Sequence, residues 1–384
     1  MDMEKDDFEV TPWDVEGNVD YRKLIEKFGT ERLTENLKER IHENAGSKNF
    51  YINRDFVFSH RDMDKVLDDY EEGDGFFLYT GVGPSGPMHI GHIISFKMTK
   101  WFQENFDVNV YIQFPDDEKY WTRGKKYDDV ERFAQDNLKD VAAVGFDPDK
   151  TFIFKNTEYI GNMYKAATKV AKNINNSVVS AVFGFGSSTN IGLNWYPALQ
   201  ILPTFFEEGR CLIPAGIDQD PYWRIQRDIA PKLDRKKAAQ IHNKLVPALT
   251  GPDGKMSSSE PRNAIMLNDG PNEVREKVMK RAYSGGQVTK EEHRKKGADL
   301  SVDVAYQWLR NLFIDNENKI KEIGKKYGQG DMLTGEVKQI LVEELNKFLG
   351  EHQKKKENKG KKIKDKMMYK GELAKKMWDK NIEL

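Results

Sequence analysis

The feature that most constrains the fold is a short apolar run that ends in a glycine-rich turn and leads into a helical pattern. The run is FFLYT at residues 76–80, the turn is GVGP at residues 81–84, and helical periodicity begins at His89. Similar apolar runs, mostly separated by helical stretches, occur at residues 108–114, 151–154, 211–217 and 265–267. This alternation predicts an α/β fold with a doubly wound parallel sheet. Ligands of such sheets bind beyond the carboxyl ends of the strands, where the connections diverge.

The regions on either side of this pattern have a different character. Residues 1–74 are polar, with helical periodicity over residues 21–41, and we interpret them as an N-terminal extension packed on the sheet domain. The sheet domain is predicted over residues 75–268, with an insertion of helices and a Gly/Ser-rich stretch at about residues 125–200. Residues 269–384 predict a separate helical domain. Its amphipathic segments are residues 272–283, 302–313 and 335–349.

Composition limits the classes of partner and compartment. The 384 residues allow two or three domains, and the net charge of −1 gives the whole molecule no global attraction for nucleic acid. Cys211 is the only cysteine, which excludes an intramolecular disulfide and a thiolate zinc cluster and is typical of a reducing compartment. The acidic start, MDMEKDDFEV, lacks the features of a signal or transit peptide, and no apolar run approaches the roughly 18 residues of a membrane span. We therefore expect a cytoplasmic location and no membrane partner.

One strongly basic segment stands out near the C-terminus. Eight of the thirteen residues at 354–366 are lysine, against Glu357 and Asp365, which gives a local charge of +6. A solvated helix end or frayed tail and an arm that contacts phosphates explain such a segment equally well. The sequence leaves both interpretations open.

The strongest chemical signal is the hexapeptide PMHIGH at residues 87–92. In a helix that begins near Met88, His89 and His92 share one face of the first turn, where free N–H groups and the helix dipole attract polyphosphate. Gly91 has no Cβ, so a purine or its ribose can lie close to the backbone. A pair of ordinary surface histidines or half of a metal site are the alternatives, but we predict no metal site, because the other histidines lack ligand spacing. They are His42, His60, His242, His293 and His352.

A second motif, GPDGKMSSS, follows at residues 251–259. Its glycines and proline predict a mobile loop, and its lysine and three hydroxyls are the groups that grip a leaving pyrophosphate. Taken alone, the stretch fits an ordinary polar turn better. The pair HIGH and KMSSS, in this order and at this separation, resembles the two signatures of class I aminoacyl-tRNA synthetases.

Further stretches narrow the resemblance to the tryptophanyl-tRNA synthetase family of the eukaryotic and archaeal type. They span about residues 58–335 and read FSHRDM, LYTGVGPSGPMHIGH, YIQFPDDEKY, GFDPDKTFIF, YPALQ, LIPAGIDQDPYWRIQRD, KMSSSEP and MLTGE. The sister tyrosyl family shares the fold but lacks the string IDQDPY followed by Arg224 and Arg227. The resemblance implies a Rossmann-like catalytic domain with a C-terminal α-helical anticodon-binding domain.

The resemblance also implies roles for individual residues. Tyr79 and Gln113 would receive the indole N–H, and leaving these acceptors unpaired would penalise phenylalanine. Glu118, Gln200 and Gln219 match positions that hold the substrate ammonium, and Lys119 lies within reach of its carboxylate. The catalytic residues would be His89, His92 and Lys255. The remaining positions expected around ATP are Gly81, Gly83, Ser85, Gly91, Asp218, Met256, Ser257 and Ser259.

The reaction implied is the activation of tryptophan with ATP and its transfer to tRNA(Trp), with Mg²⁺ on the phosphates. A homodimer through the insertion and anticodon recognition by helices after about residue 270 are implied as well. Val82 departs from a usual arginine, so that a phosphate contact is either missing or supplied by another residue such as Arg123 or Lys255. Gln287 and Val288 replace usual charges near the anticodon domain. The alternatives are a tyrosyl-tRNA synthetase, a non-catalytic tRNA-binding paralogue and a different nucleotidyltransferase of the superfamily.

Overall fold

A seven-stranded sheet forms the centre of the molecule. The computed structural model describes residues 9–10, 15–16, 20–122, 124–251 and 255–384. The strands are β1 (Glu9–Val10), β2 (Val15–Glu16), β3 (Glu31–Arg32), β4 (Val57–Arg61), β5 (Phe76–Gly81), β6 (Val110–Phe114), β7 (Thr151–Lys155), β8 (Arg210–Gly216) and β9 (Ala239–Asn243). The large sheet has the order β3-β4-β9-β8-β5-β6-β7, and β1 and β2 pair separately as an antiparallel ribbon.

The five central strands confirm the predicted parallel sheet. Strands β9, β8, β5, β6 and β7 run parallel to one another, whereas β4 pairs antiparallel with β9 and β3 pairs antiparallel with β4. Strand β5 is buried from Phe76 to Thr80, which explains its continuous apolar sequence, because helices cover both faces of such a sheet. From β5 the chain continues to β6 and β7 on one side and later to β8 and β9 on the other. The connections therefore diverge at the carboxyl end of β5.

The strand assignments differ from the sequence-based expectation in several places. Residues 265–267, predicted as a strand, form only a single bridge between Met266 and His89. Strands β9 and β4 were not predicted, and β4 lies within the expected N-terminal extension. Strand β7 lies within the range expected for the insertion. The alternation pattern does not reveal β4, because its sequence, VFSHR, mixes apolar and polar residues. The first four of these residues are buried, and the last is partly buried.

The helices before the C-terminal region connect and cover the strands. They are α1 (Tyr21–Phe28), α2 (Glu35–Ala45), α3 (Phe50–Asn53), α4 (Met63–Glu71), α5 (Ile90–Phe106), α6 (Asp116–Trp121), α7 (Tyr127–Val144), α8 (Asn156–Lys172), α9 (Asn176–Phe183), α10 (Ile191–Ile201) and α11 (Asp220–Ile229). Short 3₁₀ turns occur at Leu202–Phe205, Ile217–Gln219, Ala230–Leu233 and Pro261–Asn263. Helix α5 begins two residues later than predicted, with His89 at its N-cap position.

The region after residue 268 is helical, as expected. Its helices are α12 (Pro271–Arg281), α13 (Lys290–Lys296), α14 (Val304–Trp308), α15 (Glu317–Gly328), α16 (Thr334–Asp365) and α17 (Glu372–Trp378). Two π-helical turns lie at Leu309–Phe313 and Lys366–Lys370. Helix α16 packs against α7, and buried residues of the N-terminal, sheet and C-terminal regions belong to one continuous apolar cluster. Among the described residues, no helix combines the length and the apolar character that crossing a bilayer requires.

The lysine-rich segment is an ordered part of α16 and not a frayed tail. Lys356 Nζ lies 2.9 Å from an oxygen of Asp136 and 2.8 Å from one of Asp140, both on α7. Beyond the helix the chain folds back, so that Ile382 is buried and the Tyr159 hydroxyl donates to the Met377 carbonyl. Contact of the remaining lysines with phosphates stays a prediction.

Candidate active site

The two histidines of the first motif stack on each other at the start of α5. Their ring centroids lie 3.8 Å apart with an interplanar angle of 24°, and the His89 backbone N–H donates to His92 Nδ1 over 3.1 Å. His92 Nδ1 is therefore an acceptor, which puts the proton of the neutral ring on Nε2. An ideal Cβ at residue 91 would lie 3.0 Å from two atoms of the His89 ring. Gly91 thus makes room for this stacked arrangement.

Burial keeps both rings neutral near pH 7. Burial lowers the pKa of His89 well below its ordinary value, and the neighbouring His92 and Lys255 lower it further. Burial, followed by repulsion from Lys255 and Lys119, lowers the pKa of His92 to about 4, while Asp218 opposes this shift. His92 therefore lies within electrostatic range of residues from three different parts of the sequence. The rings are available as neutral hydrogen-bonding groups and not as cations.

The second motif lies against the first. Ser258 Oγ donates over 3.0 Å to the carbonyl of Pro87, the first residue of the PMHIGH motif. Lys255 Nζ lies 2.9 Å from Asp218 Oδ2, in the 3₁₀ turn that follows β8. Residues 252–254 lie outside the described part of the chain. The loop that carries the lysine is thus joined to both the helix start and the strand end.

The other residues of the second motif differ in their surroundings. Met256 is buried, and its backbone N–H donates to the Val246 carbonyl over 2.9 Å. The hydroxyls of Ser257 and Ser259 lie 2.8 Å apart and bond to each other.

Glu118 and Lys119 form an ion pair at the carboxyl end of β6. Glu118 Oε2 lies 2.7 Å from Lys119 Nζ, and the Glu118 side chain is 3% exposed, against 22% for Lys119. The lysine stem crosses directly over Gly83, where an ideal Cβ would lie 2.0 Å from Lys119 Cε. Gly81, at the end of β5, likewise makes room for the backbone of the neighbouring strand, because a Cβ there would lie 2.6 Å from the Gln113 carbonyl oxygen. Both glycines allow a close approach between strand ends.

A buried polar cluster closes the opposite end of the site. The Tyr79 hydroxyl donates to Gln113 Oε1 and also lies 2.9 Å from the Gln200 carbonyl oxygen. Gln113 Nε2 donates to Asn156 Oδ1 over 2.8 Å and to the Leu199 carbonyl over 3.1 Å. Tyr79 and Gln113, predicted together from neighbouring strands, are therefore in direct contact.

Aromatic side chains surround this polar cluster. The rings of Tyr79 and Trp223 meet edge to face at 5.7 Å, and those of Tyr196 and Tyr222 at 5.8 Å. The Tyr196 hydroxyl donates to Oε1 of Gln200, so the Gln200 side chain is already engaged. Walls of this kind suit a flat apolar ring. Tyr196, Tyr222 and Trp223 were quoted within motifs but not predicted as site residues.

The remaining predicted residues lie at the margin. Gln219 Nε2 lies 3.3 Å from Asp218 Oδ2, and the Ser85 carbonyl accepts from Lys125 Nζ over 2.6 Å. Val82 is buried, consistent with an apolar residue at that position. Arg123 lies outside the described residues. Within the described part of the chain, no three His, Cys, Asp or Glu side chains cluster in a way that would hold a metal ion.

Comparison with known proteins assigns the chain to a family. Residues 71–350 match the family described as tRNA synthetases class I (W and Y). The chain is 56% identical over 376 residues to a tryptophan–tRNA ligase of Saccharolobus solfataricus, covering 98% of this chain and 99% of the relative. It is 53% identical over 379 residues to that of Thermococcus kodakarensis, with 98% of each covered. The chain belongs to the tryptophan–tRNA ligase family.

Solved structures of the family share this fold over nearly the whole chain. The tryptophanyl-tRNA synthetase of Plasmodium falciparum has a TM-score of 0.87 at 40% identity and covers 93% of this chain and 99% of its own. That of Encephalitozoon cuniculi, bound to tryptophan, has a TM-score of 0.85 at 33% identity, with 91% and 98% covered. The Rossmann-like sheet with its helical C-terminal region is therefore the architecture of this aminoacyl-tRNA synthetase family.

Proposed function

We propose that the chain activates tryptophan with ATP and then transfers the tryptophanyl group to the 3′ end of tRNA(Trp). The observation that carries this proposal is the contact between Tyr79 and Gln113 at the base of an aromatic pocket. Indole offers one N–H donor on a large apolar ring, and this pocket offers one buried amide oxygen among aromatic walls. Phenylalanine has no ring donor, so its binding would leave the second lone pair of that oxygen, beside the bond from the Tyr79 hydroxyl, without a partner, at a cost of about 1–3 kcal/mol.

The ion pair of Glu118 and Lys119 suits the other end of the substrate. Tryptophan is a zwitterion, so its ammonium can take the place of Lys119 on Glu118 while Lys119 turns to its carboxylate. The substrate ammonium then replaces Lys119 as the cationic partner of Glu118. The substrate carboxylate replaces Glu118 as the anionic partner of Lys119. Gln200 and Gln219 would add neutral acceptors around the ammonium.

The reaction requires no protein nucleophile. The tryptophan carboxylate attacks the α-phosphorus of ATP, the bond to pyrophosphate breaks, and tryptophanyl-adenylate forms. Neutral His89 and His92 would donate hydrogen bonds to phosphate oxygens, and Lys255 would neutralise charge that develops on the leaving pyrophosphate. Lys255 would leave Asp218 to do so, which frees that carboxylate for the ATP ribose. A ribose hydroxyl of the terminal tRNA adenosine then takes the acyl group and releases AMP.

Magnesium would accompany ATP and not a preformed protein cage. Mg²⁺ is usually held by substrate phosphates, water and one or two carboxylates, so the phosphates of ATP would supply most of its ligands. The ion would supply neutralising charge to the polyphosphate. The described carboxylates of the site, Asp218 and Glu118, already have cationic partners in Lys255 and Lys119.

We further propose a homodimer and tRNA contacts by the C-terminal helices. Support for the dimer comes from apolar side chains exposed on α8 to α10, namely Tyr164, Val178 and Ile191, of which Ile191 is 87% exposed. Support for the tRNA contact comes from basic residues that cluster at the end of α13. The cytoplasmic location stays a prediction from the sequence.

The decisive experiment is amino-acid-dependent exchange of labelled pyrophosphate into ATP, run with each of the twenty amino acids. The wild-type chain is compared with Gln113→Ala and with Gln339→Ala, a matched change on the surface of α16 where Gln339 Nε2 pairs with Glu343. We expect exchange with tryptophan alone, weakened at least about tenfold by Gln113→Ala and unchanged by Gln339→Ala.

Other outcomes would replace the proposal. Exchange with tyrosine would move the chain to the sister specificity. Absence of exchange with every amino acid, in protein that still binds tRNA, would favour a non-catalytic paralogue. Exchange with tryptophan but no charging of tRNA(Trp) would limit the function to the first half-reaction.

A further inference from the structure

Asn156 joins parts of the site that neither sequence motif contains. It is the first residue of α8 and directly follows β7, whose Phe154 lies beside Gln113 of β6 in the parallel register. Asn156 therefore lies at the carboxyl end of the parallel strands, which is the edge of the sheet where the candidate site is found. The Asn156 side chain is fully buried, with 0% exposure. A buried amide must find partners for both its oxygen and its nitrogen, and these partners are functional residues.

The first partner is Gln113, which was predicted to receive the indole. Asn156 Oδ1 accepts from Gln113 Nε2 over 2.8 Å, and the Leu199 carbonyl accepts the second N–H of the same group over 3.1 Å. Both acceptors together occupy the two donors of the Gln113 amide. Gln113 Oε1 is consequently turned to the opposite side, towards the Tyr79 hydroxyl.

The second partner fixes which way Asn156 itself points. Asn156 Nδ2 donates to Asp117 Oδ1 over 2.9 Å, and the same oxygen accepts the backbone N–H of Glu118 over 2.8 Å. Because Asp117 Oδ1 serves two donors, a reversed Asn156 would set its oxygen against another acceptor. Burial raises the pKa of Asp117 to about 7, and a proton bound there would occupy the other carboxyl oxygen, because Oδ1 already accepts from these two donors.

These contacts form one directed chain of hydrogen bonds. The chain begins at the backbone of Glu118 and at Asp117, passes through Asn156 and ends at the Gln113 oxygen. We propose that Asn156 is a positioning residue that determines specificity: it holds the Gln113 oxygen towards the substrate ring and fixes its place relative to the segment that carries Glu118. This inference rests on the proposed recognition of tryptophan by Gln113.

A purely structural Asn156 would behave differently. If it only satisfied buried polar groups, its loss would weaken the pocket for every ligand of the same shape. A positioning role affects only the ligand that donates to Gln113. The two roles are therefore separated by comparing tryptophan with an analogue of the same shape that lacks the ring N–H. In β-(benzothiophen-3-yl)alanine a sulfur atom replaces that group.

Equilibrium binding of both amino acids is measured by calorimetry on the full-length wild-type chain, Asn156→Ala and Thr157→Val. Thr157 is the matched control, because its hydroxyl binds the neighbouring Asp116 and takes no part in the chain to Gln113. We expect Asn156→Ala to reduce the preference for tryptophan over the analogue about tenfold, since a buried hydrogen bond is lost. The affinity for the analogue should change less than about threefold, and Thr157→Val should retain the wild-type preference.

A double variant tests the route of the effect. In a Gln113→Ala background, Asn156→Ala should leave the remaining preference unchanged within about twofold, because the two residues act on one contact. If Asn156→Ala is not folded by circular dichroism, Asn156→Ser replaces it, as serine is too short to bridge Asp117 and Gln113. The same preference ratio is expected for that variant.

Three results would overturn the inference. An equal loss of affinity for tryptophan and its analogue would reduce Asn156 to a structural role. The same loss of preference in Thr157→Val would show a general disturbance of this corner. A wild-type chain that binds tryptophan no better than the analogue would remove the role of Gln113 and, with it, that of Asn156. Absence of pyrophosphate exchange in protein that still prefers tryptophan to the analogue would refute only the proposed reaction.

Discussion

Replacing Gly83 with alanine should weaken the binding of tryptophan while the chain stays folded. An ideal Cβ at this position would lie 2.0 Å from Cε of Lys119 and 3.1 Å from its Cδ. Both atoms belong to a flexible side chain, and Gly83 is not among the described glycines with positive φ. The chain can therefore accept alanine by turning the lysine away from the site. Its backbone need not move.

The magnitude follows from the contact that is lost. Lys119 is 22% exposed, but Glu118 is only 3% exposed and loses its cationic partner when the lysine turns away, so the free energy of unfolding should fall by about 1–3 kcal/mol. A charged hydrogen bond from Lys119 to the substrate carboxylate is worth about 1.5–3 kcal/mol. We therefore expect the dissociation constant for tryptophan to rise roughly 10- to 150-fold, while the melting temperature falls by only a few degrees.

The assay pairs calorimetric titration with thermal unfolding, and the same turn supplies a control. A Cβ at Gly86 would lie 3.5 Å from Ser258 Cβ, an ordinary contact, so Gly86→Ala should bind tryptophan like the wild type. Equal affinities for Gly83→Ala and Gly86→Ala would refute the role of Lys119. A fall in melting temperature well beyond a few degrees would refute the claim that only the side chain moves.

Three further predictions address backbone packing, chemistry and acid stability. Gly81→Ala should destabilise the fold by about 3 kcal/mol in urea unfolding, because its Cβ would lie 2.6 Å from a backbone oxygen of Gln113; a wild-type midpoint would contradict this. Lys255→Met should lower kcat for pyrophosphate exchange at least about a hundredfold with little change in KM for tryptophan; a change in KM alone would place Lys255 in substrate binding instead. Burial lowers the pKa of His242 to about 4, so the folded chain holds that proton more weakly than the unfolded chain, with its ordinary value near 6.5. The resulting loss of stability begins as pH falls through about 6.5 and amounts to roughly 3 kcal/mol at pH 4. His242→Asn should therefore reduce the difference in unfolding free energy between pH 7 and pH 4, and an unchanged difference would contradict this.

The local features of the site could be predicted because each lies within one stretch of chain. The strand β5, its glycine-rich turn and the start of α5 are adjacent in sequence, so a switch from buried strand to helix marks them directly. Gly81, Gly83 and Gly91 lie in this same stretch, where a Cβ would meet the Gln113 backbone, the Lys119 side chain and the His89 ring, respectively. The second motif was identified by its composition, although its contact with Pro87 was not.

Features that depend on distant partners could not be predicted. Asn156 bonds to residues 39 and 43 positions away, and no local pattern marks an asparagine at a strand end as part of a pocket. The ion pairs of Lys356 with α7 join segments more than 200 residues apart. Local periodicity describes which face of an element is apolar but says nothing about which polar group a buried polar group will meet.

The sequence by itself determined the class of sheet, the order of the two motifs and the helical character of the C-terminal region, and it predicted the edge at which ligands bind. These follow from periodicity and composition, which act over a few residues. Only the tertiary structure decided that β4 and β9 extend the sheet, that residues 265–267 bridge to His89 instead of forming a strand, and that Asn156 connects Gln113 to Asp117. The physical reason is that strand pairing and buried hydrogen bonds are satisfied by groups brought together through folding, whatever their separation along the chain.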